Sequence, residues 1–166
     1  MVVIDEDGLK VTAFLVDHSP VKPAVGYRFD YKGRSVVISG DTKPVPSLTK
    51  QAQGADLLVQ EALQPAMVGI LKGVGEKVGR TNTAKIMGDI LSYHTSPEDA
   101  ARIAAKAGVR HLLLTHIIPP LPASDLKATF LGDSQKFYGG PITIGEDGML
   151  FSLLVGDQKI RMKWLL

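Results

Sequence analysis

The chain has 166 residues, and its 19 basic and 17 acidic side chains leave a formal charge of +2. Its length suits one domain, and the absence of cysteine excludes disulfide bonds, thiolate metal sites and cysteine nucleophiles. The apolar runs are far below the roughly 20 residues that span a bilayer, so we expect no membrane partner. We see no signal peptide, which predicts a cytoplasmic protein if Met1 is the natural start and otherwise leaves the compartment open.

The first 40 residues predict a strand, a loop and a hairpin. After an Asp-Gly turn, an apolar run predicts a strand over residues 10–16, which the polar pair Asp17-His18 ends. The two prolines of SPVKPAV predict a loop. Residues 27–31 and 35–39 flank a Lys-Gly turn and therefore predict a β-hairpin.

The middle of the chain alternates between helix and strand. We expect a helix over residues 46–53 and a buried strand in ADLLVQEAL that ends at Glu61. The four glycines of residues 65–79 predict an irregular loop, and residues 82–93 predict a helix.

The last third predicts two more helices and several strands. Ser96 is typical of an N-cap before a helix that stops at Gly108, and VRHLLLTH predicts a strand ending at His116. We expect a helix over residues 124–138, a hairpin in ITIGEDGMLFSLLV and a closing strand in KIRMKWLL. Strands that alternate with helices predict an α/β fold, and the lack of any linker predicts one domain over residues 1–166.

Polar side chains stand at the ends of four of the predicted apolar strands. They are His18, Asp41, Glu61 and His116. Functional sites of open α/β sheets gather beyond the carboxyl ends of the strands, so we expect these side chains to meet. Histidine and carboxylate ligands suit zinc, iron or manganese, and a cation would also compensate a carboxylate placed after a buried strand.

Each of these residues also has a structural interpretation. An aspartate at a strand end commonly caps the next turn, and a histidine there is commonly a hydrogen-bonded rim residue. Glu61 could be a solvated or capping residue, and His94 could simply occupy a helix junction. We interpret His111, at the start of its strand, as structural.

Five segments in order resemble those of a known family, the metallo-β-lactamase fold hydrolases, within the branch of ribonuclease Z and arylsulfatase-like proteins. Together they extend the resemblance over about residues 9–155. The segments are DHSPVKPAVGYRF, SGDT, VQEAL, YHTSPEDAARIAAKAGV and LLLTHI.

The resemblance implies a role for each site residue. His18, Asp41 and His116 would be metal ligands, and two zinc ions, with manganese or iron as alternatives, would be the cofactor. His94 would act near the scissile group as a general acid or charge stabiliser, and Glu61 would hydrogen-bond and orient it. Asp41, Glu61 and His94 are therefore the predicted catalytic residues.

The resemblance covers only part of the family's pattern. The motif His-x-His-x-Asp-His, which the family carries in its amino-terminal half, does not occur in this sequence. We therefore expect the carboxyl-terminal half of an αββα sandwich, one sheet with its helices.

The substrate and partners are predicted in the same way. Asp41 follows Tyr27 by 14 positions (41 − 27), which leaves no room for the long arm by which ribonuclease Z grips transfer RNA. We therefore expect a small anionic ester, a phosphodiester or aryl sulfate, and no nucleic-acid partner.

One alternative is a catalytically silent half-domain that associates with the missing amino-terminal half or as a homodimer. A second is a ribonuclease Z-like tRNA 3′ endonuclease.

Overall fold

The structure is a computed structural model that describes residues 1–165 and leaves outside it Leu166, the last residue of the predicted closing strand. Its strands are β1 (Val2–Glu6), β2 (Leu9–His18), β3 (Val21–Tyr31), β4 (Arg34–Ile38), β5 (Leu57–Leu63), β6 (His111–Ile118), β7 (Ile142–Ile144), β8 (Met149–Ser152) and β9 (Arg161–Trp164). Its helices are α1 (Pro46–Gln51), α2 (Pro65–Lys77), α3 (Thr81–Asp89) with a 3-10 turn (Ile90–Ser92), α4 (Pro97–Ala107), α5 (Leu126–Leu131) and α6 (Ser134–Phe137).

Seven strands form one mixed sheet whose spatial order, β1 to β7, is also their order in the chain. The strands from β1 to β4 pair antiparallel, and those from β4 to β7 pair parallel. Parallel neighbours need a crossover, and helices provide it: α1 leads to β5, α2–α4 lead to β6, and α5–α6 lead to β7. This arrangement confirms the predicted α/β fold.

The hydrophobic core lies between the helices and one face of the sheet. Val37, Leu58, Leu112 and Leu114 are fully buried on that face and cluster with the alanines of α4. Ser96 caps α4 by accepting a hydrogen bond from the amide of Asp99, and Gly108 ends it at φ 64°, both as predicted. α4 therefore seals the parallel part of the sheet and holds the residues just before it near the strand ends.

The opposite face of the sheet is less covered. The register places Tyr27 beside Ala13 and Ile38, so these side chains share that face with Leu15. Tyr27, Ile38 and Leu15 are 38%, 39% and 68% exposed. One sheet with helices on one face and apolar side chains on the other agrees with the predicted half of a sandwich.

The loop predicted for SPVKPAV is wrong, because β3 already begins at Val21. Val16 pairs with Ala24 and His18 pairs with Val21, so Asp17 lies opposite two residues, Lys22 and Pro23. A bulge of this kind tolerates a proline that cannot donate to the ladder.

The irregular loop predicted for residues 65–79 is also wrong, since α2 spans Pro65–Lys77. Pro65 suits the first helical turn, and the Gln64 side chain caps the helix by accepting from the amide of Ala66. Gly75 is buried against Ala84 of α3, so that the two helices approach closely. Packing between α2 and α3 thus outweighs the poor helix propensity of glycine.

Two predictions near the carboxyl end are corrected as well. The helix expected over residues 124–138 is divided into α5 and α6, with Gly132 at φ 52° ending α5. The hairpin expected in ITIGEDGMLFSLLV does not form: β7 pairs parallel with β6, whereas β8 pairs with β9 in a separate two-stranded sheet. Among the described residues, no helix is long and apolar enough to cross a bilayer.

The glycines of α2 supply a test of its helical state. Gly69 has open space where a Cβ would lie, so Gly69→Ala should raise the free energy of unfolding by about 0.5–1 kcal/mol. A Cβ on Gly75 would already lie 3.4 Å from that of Ala84, so Gly75→Leu should lower it by about 1–3 kcal/mol. Urea unfolding measures both changes. Destabilisation by Gly69→Ala would show that this segment is not a helix.

Candidate metal centre

The predicted site residues meet at one edge of the sheet. His18 ends β2, Asp41 lies just beyond β4, and Glu61 and His116 lie in the neighbouring strands β5 and β6. The ring of His94 has its centroid 5.0 Å from that of His18 and 5.9 Å from that of His116. His116 Nδ1 lies 3.5 Å from Asp41 Oδ1. The structure therefore brings together all five residues that the sequence analysis selected.

His116 reaches this edge through a bulge in β6. Glu61 pairs with Thr115 and Ala62 pairs with Ile117, which leaves His116 as the extra residue. Its φ of 47° lies in the left-handed region, and its side chain is 52% exposed. A non-glycine residue in this conformation carries backbone strain, and such strain often occurs at functional sites. The strained bulge aims the imidazole towards Asp41.

The position of Asp41 depends on the glycine before it. Gly40 has φ 64°, and a Cβ there would lie 2.5 Å from the carbonyl oxygen of Val25. A side chain at this position would meet both a steric clash and a strained backbone, so glycine permits the turn. The Asp41 side chain is 40% exposed. It is therefore not the buried carboxylate that its place after an apolar strand predicted.

Glu61 is the buried carboxylate of the site, with only 1% of the residue exposed. Its Oε1 accepts hydrogen bonds from the amides of Thr95 at 2.8 Å and Thr42 at 3.3 Å. Its Oε2 lies 3.0 Å from His94 Nδ1. We call Thr42, Glu61, His94 and Thr95 the Glu61 network. The interpretation of Glu61 as a solvated residue is wrong, and its predicted contact with His94 is present.

Two histidines of the site are held by their Nδ1 atoms. His18 Nδ1 lies 3.2 Å from the carbonyl oxygen of Tyr93, which can only accept, so this nitrogen carries the proton. His94 Nδ1 in the same way donates to Glu61. Both rings therefore keep Nε2 free for a ligand or substrate. A second hydrogen bond of this kind is the usual support of a metal-binding histidine.

The imidazole and carboxylate groups at this edge of the sheet suit a divalent cation. Ligand atoms of Glu61, His94 and His116 all lie within 4.8 Å of one another. Both oxygens of Glu61, however, are already occupied by the donors of its network, so Glu61 is better suited to support than to ligation. Asp41 and His116 are accessible and adjacent, and His18 has a free Nε2. The assignment of His18, Asp41 and His116 as ligands stays a prediction.

Asp17, next to His18, is engaged in contacts of its own. Lys43 Nζ lies 2.8 Å from its carboxylate, and the amide and hydroxyl of Ser19 donate to it. The hydrogen bonds from Lys43 and Ser19 hold the pKa of the Asp17 carboxyl well below its usual range. These contacts brace the end of β2 that carries His18.

His111 lies at the other end of β6, away from this centre. Its Nε2 is 2.9 Å from the hydroxyl of Thr143, and its ring packs edge-on against Phe151. Burial lowers the pKa of His111. These contacts agree with the structural interpretation of this residue.

Three contributors to the site were not foreseen from the sequence. Tyr93 holds His18 through its carbonyl group and also packs its ring edge-on against that imidazole at 4.9 Å. Thr42 and Thr95 are fully buried and belong to the Glu61 network. Threonine is common in loops, so the residue type alone does not mark them. Only their positions directly after Asp41 and His94 indicate a role.

Comparison with known proteins gives the family. The profile described as beta-lactamase superfamily domain matches residues 2–117, and the chain belongs to this family. The predicted membership among metallo-β-lactamase fold hydrolases is thereby confirmed.

Relatives and solved structures refine the likeness. Ribonuclease Z from Mycobacterium avium (strain 104) is 35% identical over 145 residues, which are 87% of this chain and 48% of that protein. The metallo-beta-lactamase fold protein YhfI from Bacillus subtilis superposes with a TM-score of 0.60 at 22% identity, covering 86% of this chain and 49% of that one. The short form of human tRNase Z superposes with a TM-score of 0.55 at 23% identity, covering 88% of this chain and 44% of that one. These two structures show a shared fold.

The chain spans about half the length of the curated relatives that it matches. This agrees with the prediction of a half-fold. The name ribonuclease Z conflicts in part with the expectation that nucleic acid is not a partner.

Replacement of His116 by glycine should separate stability from metal binding. Glycine adopts φ 47° without strain, so His116→Gly should raise the free energy of unfolding in EDTA by about 1 kcal/mol while weakening zinc binding. His111→Gly is the matched control, which should lower stability and leave zinc affinity unchanged. Urea unfolding and zinc titration measure the two effects. Destabilisation by His116→Gly would contradict the strained bulge.

Glu61→Gln should change the tautomer of His94. The glutamine oxygen can still accept from the amides of Thr42 and Thr95, but its NH₂ group then faces His94 Nδ1. That nitrogen must become an acceptor, so the proton of the neutral ring should move to Nε2. Imidazole ¹⁵N NMR detects this change, with Glu76→Gln on α2 as the control. If the proton stayed on Nδ1, the assigned hydrogen bond from His94 Nδ1 to Glu61 would be wrong.

Proposed function

We propose that the chain carries the carboxyl-terminal part of a metal-dependent hydrolase that cleaves phosphodiesters. The observation that carries the proposal is the convergence of His18, Asp41, His94 and His116 at one sheet edge, with Glu61 holding His94 from behind. The family membership of the chain supports it. Membership alone does not choose the substrate, because one fold hosts many reactions.

The residues divide into a ligand set and a proton-transfer pair. His18, Asp41 and His116 would hold the cation, for which zinc fits the imidazole and carboxylate donors, with manganese or iron as alternatives. A bound divalent cation would supply Lewis acidity and an activated water. His94, oriented by Glu61, presents Nε2, and in its imidazolium form it would donate the Nε2 proton to the leaving oxygen while Nδ1–H stays bonded to Glu61.

The choice of substrate depends on observations that favour different substrates. The turn between β3 and β4 is only Lys32-Gly33, since Tyr31 pairs with Arg34, so no arm for RNA extends there. The formal charge of +2 also provides little attraction for a polyanion. The relatives named ribonuclease Z favour RNA. We propose a small phosphodiester or related ester as substrate, with RNA end processing as the competing candidate.

A second candidate function is association without catalysis. The half-covered sheet face with Leu15, Tyr27 and Ile38 favours it, because such a patch commonly marks an interface. The occupant would be an amino-terminal half of the same fold or a second copy of the chain. The intact site residues favour the hydrolase.

Zinc titration of the purified chain tests the proposal. We expect zinc binding that Asp41→Ala weakens by at least about 10-fold, whereas Asp5→Ala, on the exposed strand β1, leaves it unchanged. Zinc-dependent cleavage of bis(p-nitrophenyl) phosphate should be lost in the same variant. Sulfate ester and structured RNA substrates, assayed in parallel, distinguish the alternatives.

The outcomes separate the candidates. Cleavage of RNA but not of the small phosphodiester would replace our substrate with that of the competing candidate. No binding at micromolar free zinc, together with a dimeric mass in light scattering, would favour association instead.

A further inference from the structure

The hydroxyl of Thr95 joins two loops that carry predicted site residues. Thr95 Oγ1 donates a hydrogen bond of 2.5 Å to the carbonyl oxygen of Thr42, and both residues are fully buried. Thr42 directly follows Asp41, and Thr95 directly follows His94. This bond therefore spans from the loop after β4 to the residues before α4.

The same two residues also converge on Glu61. Their amides both donate to Oε1 of this carboxylate, so the two loops are bound to one acceptor atom and to each other. The carbonyl oxygen of Thr95 in turn accepts from the amide of Leu63 at 2.9 Å, which ties the arrangement to β5. Asp41 and His94 are thus each followed by a residue that hydrogen bonds connect to Glu61 and to the other loop.

Other contacts brace Thr42 from the opposite side. Its hydroxyl accepts from the amide of Asp17 at 3.1 Å and lies 2.7 Å from the carbonyl oxygen of Lys43. Asp17 precedes His18, so the loop that the Thr95 hydroxyl holds also touches the strand end that carries His18. One buried side chain is therefore in a position to set the spacing of three site residues.

We propose that Thr95 is a positioning residue that fixes the separation of Asp41 from His94 through its hydroxyl group. The inference rests on the proposed metal-dependent function, because it assigns Asp41 to the metal and His94 to the substrate. The hydroxyl acts on both through the backbone and touches neither cation nor substrate. Without it, the buried carbonyl group of Thr42 loses a hydrogen bond and the two loops can separate.

The test compares Thr95→Val, which removes the hydroxyl group at nearly constant shape, with Thr95→Ser, which keeps it. Thr83→Val, at an exposed position of α3, is the matched control. In the metal-free full chain, Thr95→Val should speed hydrogen exchange of the Thr42 amide by at least about 10-fold, and Thr95→Ser by less than about 3-fold. Exchange at Leu58 and Leu112 reports any general loss of stability and should not change.

Zinc titration of the same variants gives the second result. Thr95→Val should weaken zinc binding by about 10-fold, and Thr95→Ser and Thr83→Val should bind as the unmodified chain does. Unchanged exchange at Thr42 would overturn the proposal, and so would faster exchange with unchanged zinc affinity. If the unmodified chain bound no zinc, the proposed function would fail, and exchange at Thr42 would still decide whether the hydroxyl holds the loops.

Discussion

The buried carboxylate of Glu61 is the group on which the geometry of the site depends. A carboxylate withdrawn from water is costly unless donors replace its hydration, and here two backbone amides and the imidazole of His94 do so. Those donors come from two separate loops, so compensation of the charge also brings both loops to one carboxylate, where the Thr95 hydroxyl joins them directly. The protein can therefore form this arrangement through its own hydrogen bonds.

The edge of the sheet in front of Glu61, by contrast, presents accessible side chains. Asp41 and His116 are accessible, their side chains lie 3.5 Å apart, and the backbone of His116 is strained. His18 and His94 each present a free Nε2 because their Nδ1 atoms are held from behind. Accessible donors in front of a rigid, buried support are what a site needs to hold a cation and a substrate in fixed positions.

Much of the fold followed from local signals, and the errors have a common cause. The cap at Ser96, the stop at Gly108 and the apolar strands β5 and β6 are local features that a sequence displays directly. The helix α2 depends on packing against the next helix, α3, and the parallel pairing of β7 depends on a strand more than 20 residues earlier in the chain, and local composition reveals neither contact. The predicted strand ends were enough to select Asp41 and His116 from the sequence. The roles of the buried threonines and of Tyr93 depend on packing, which the sequence does not display.

The location of a bound cation tests the account most directly, by anomalous diffraction at the zinc edge from crystals of the zinc-loaded chain. The proposed site predicts a peak at about 2.0–2.2 Å from a carboxylate oxygen of Asp41 and an imidazole nitrogen of His116 or His18. Both oxygens of Glu61 should remain with the amides of Thr42 and Thr95 and with His94. A zinc ion bonded to Glu61, or a peak away from this edge of the sheet, would contradict it.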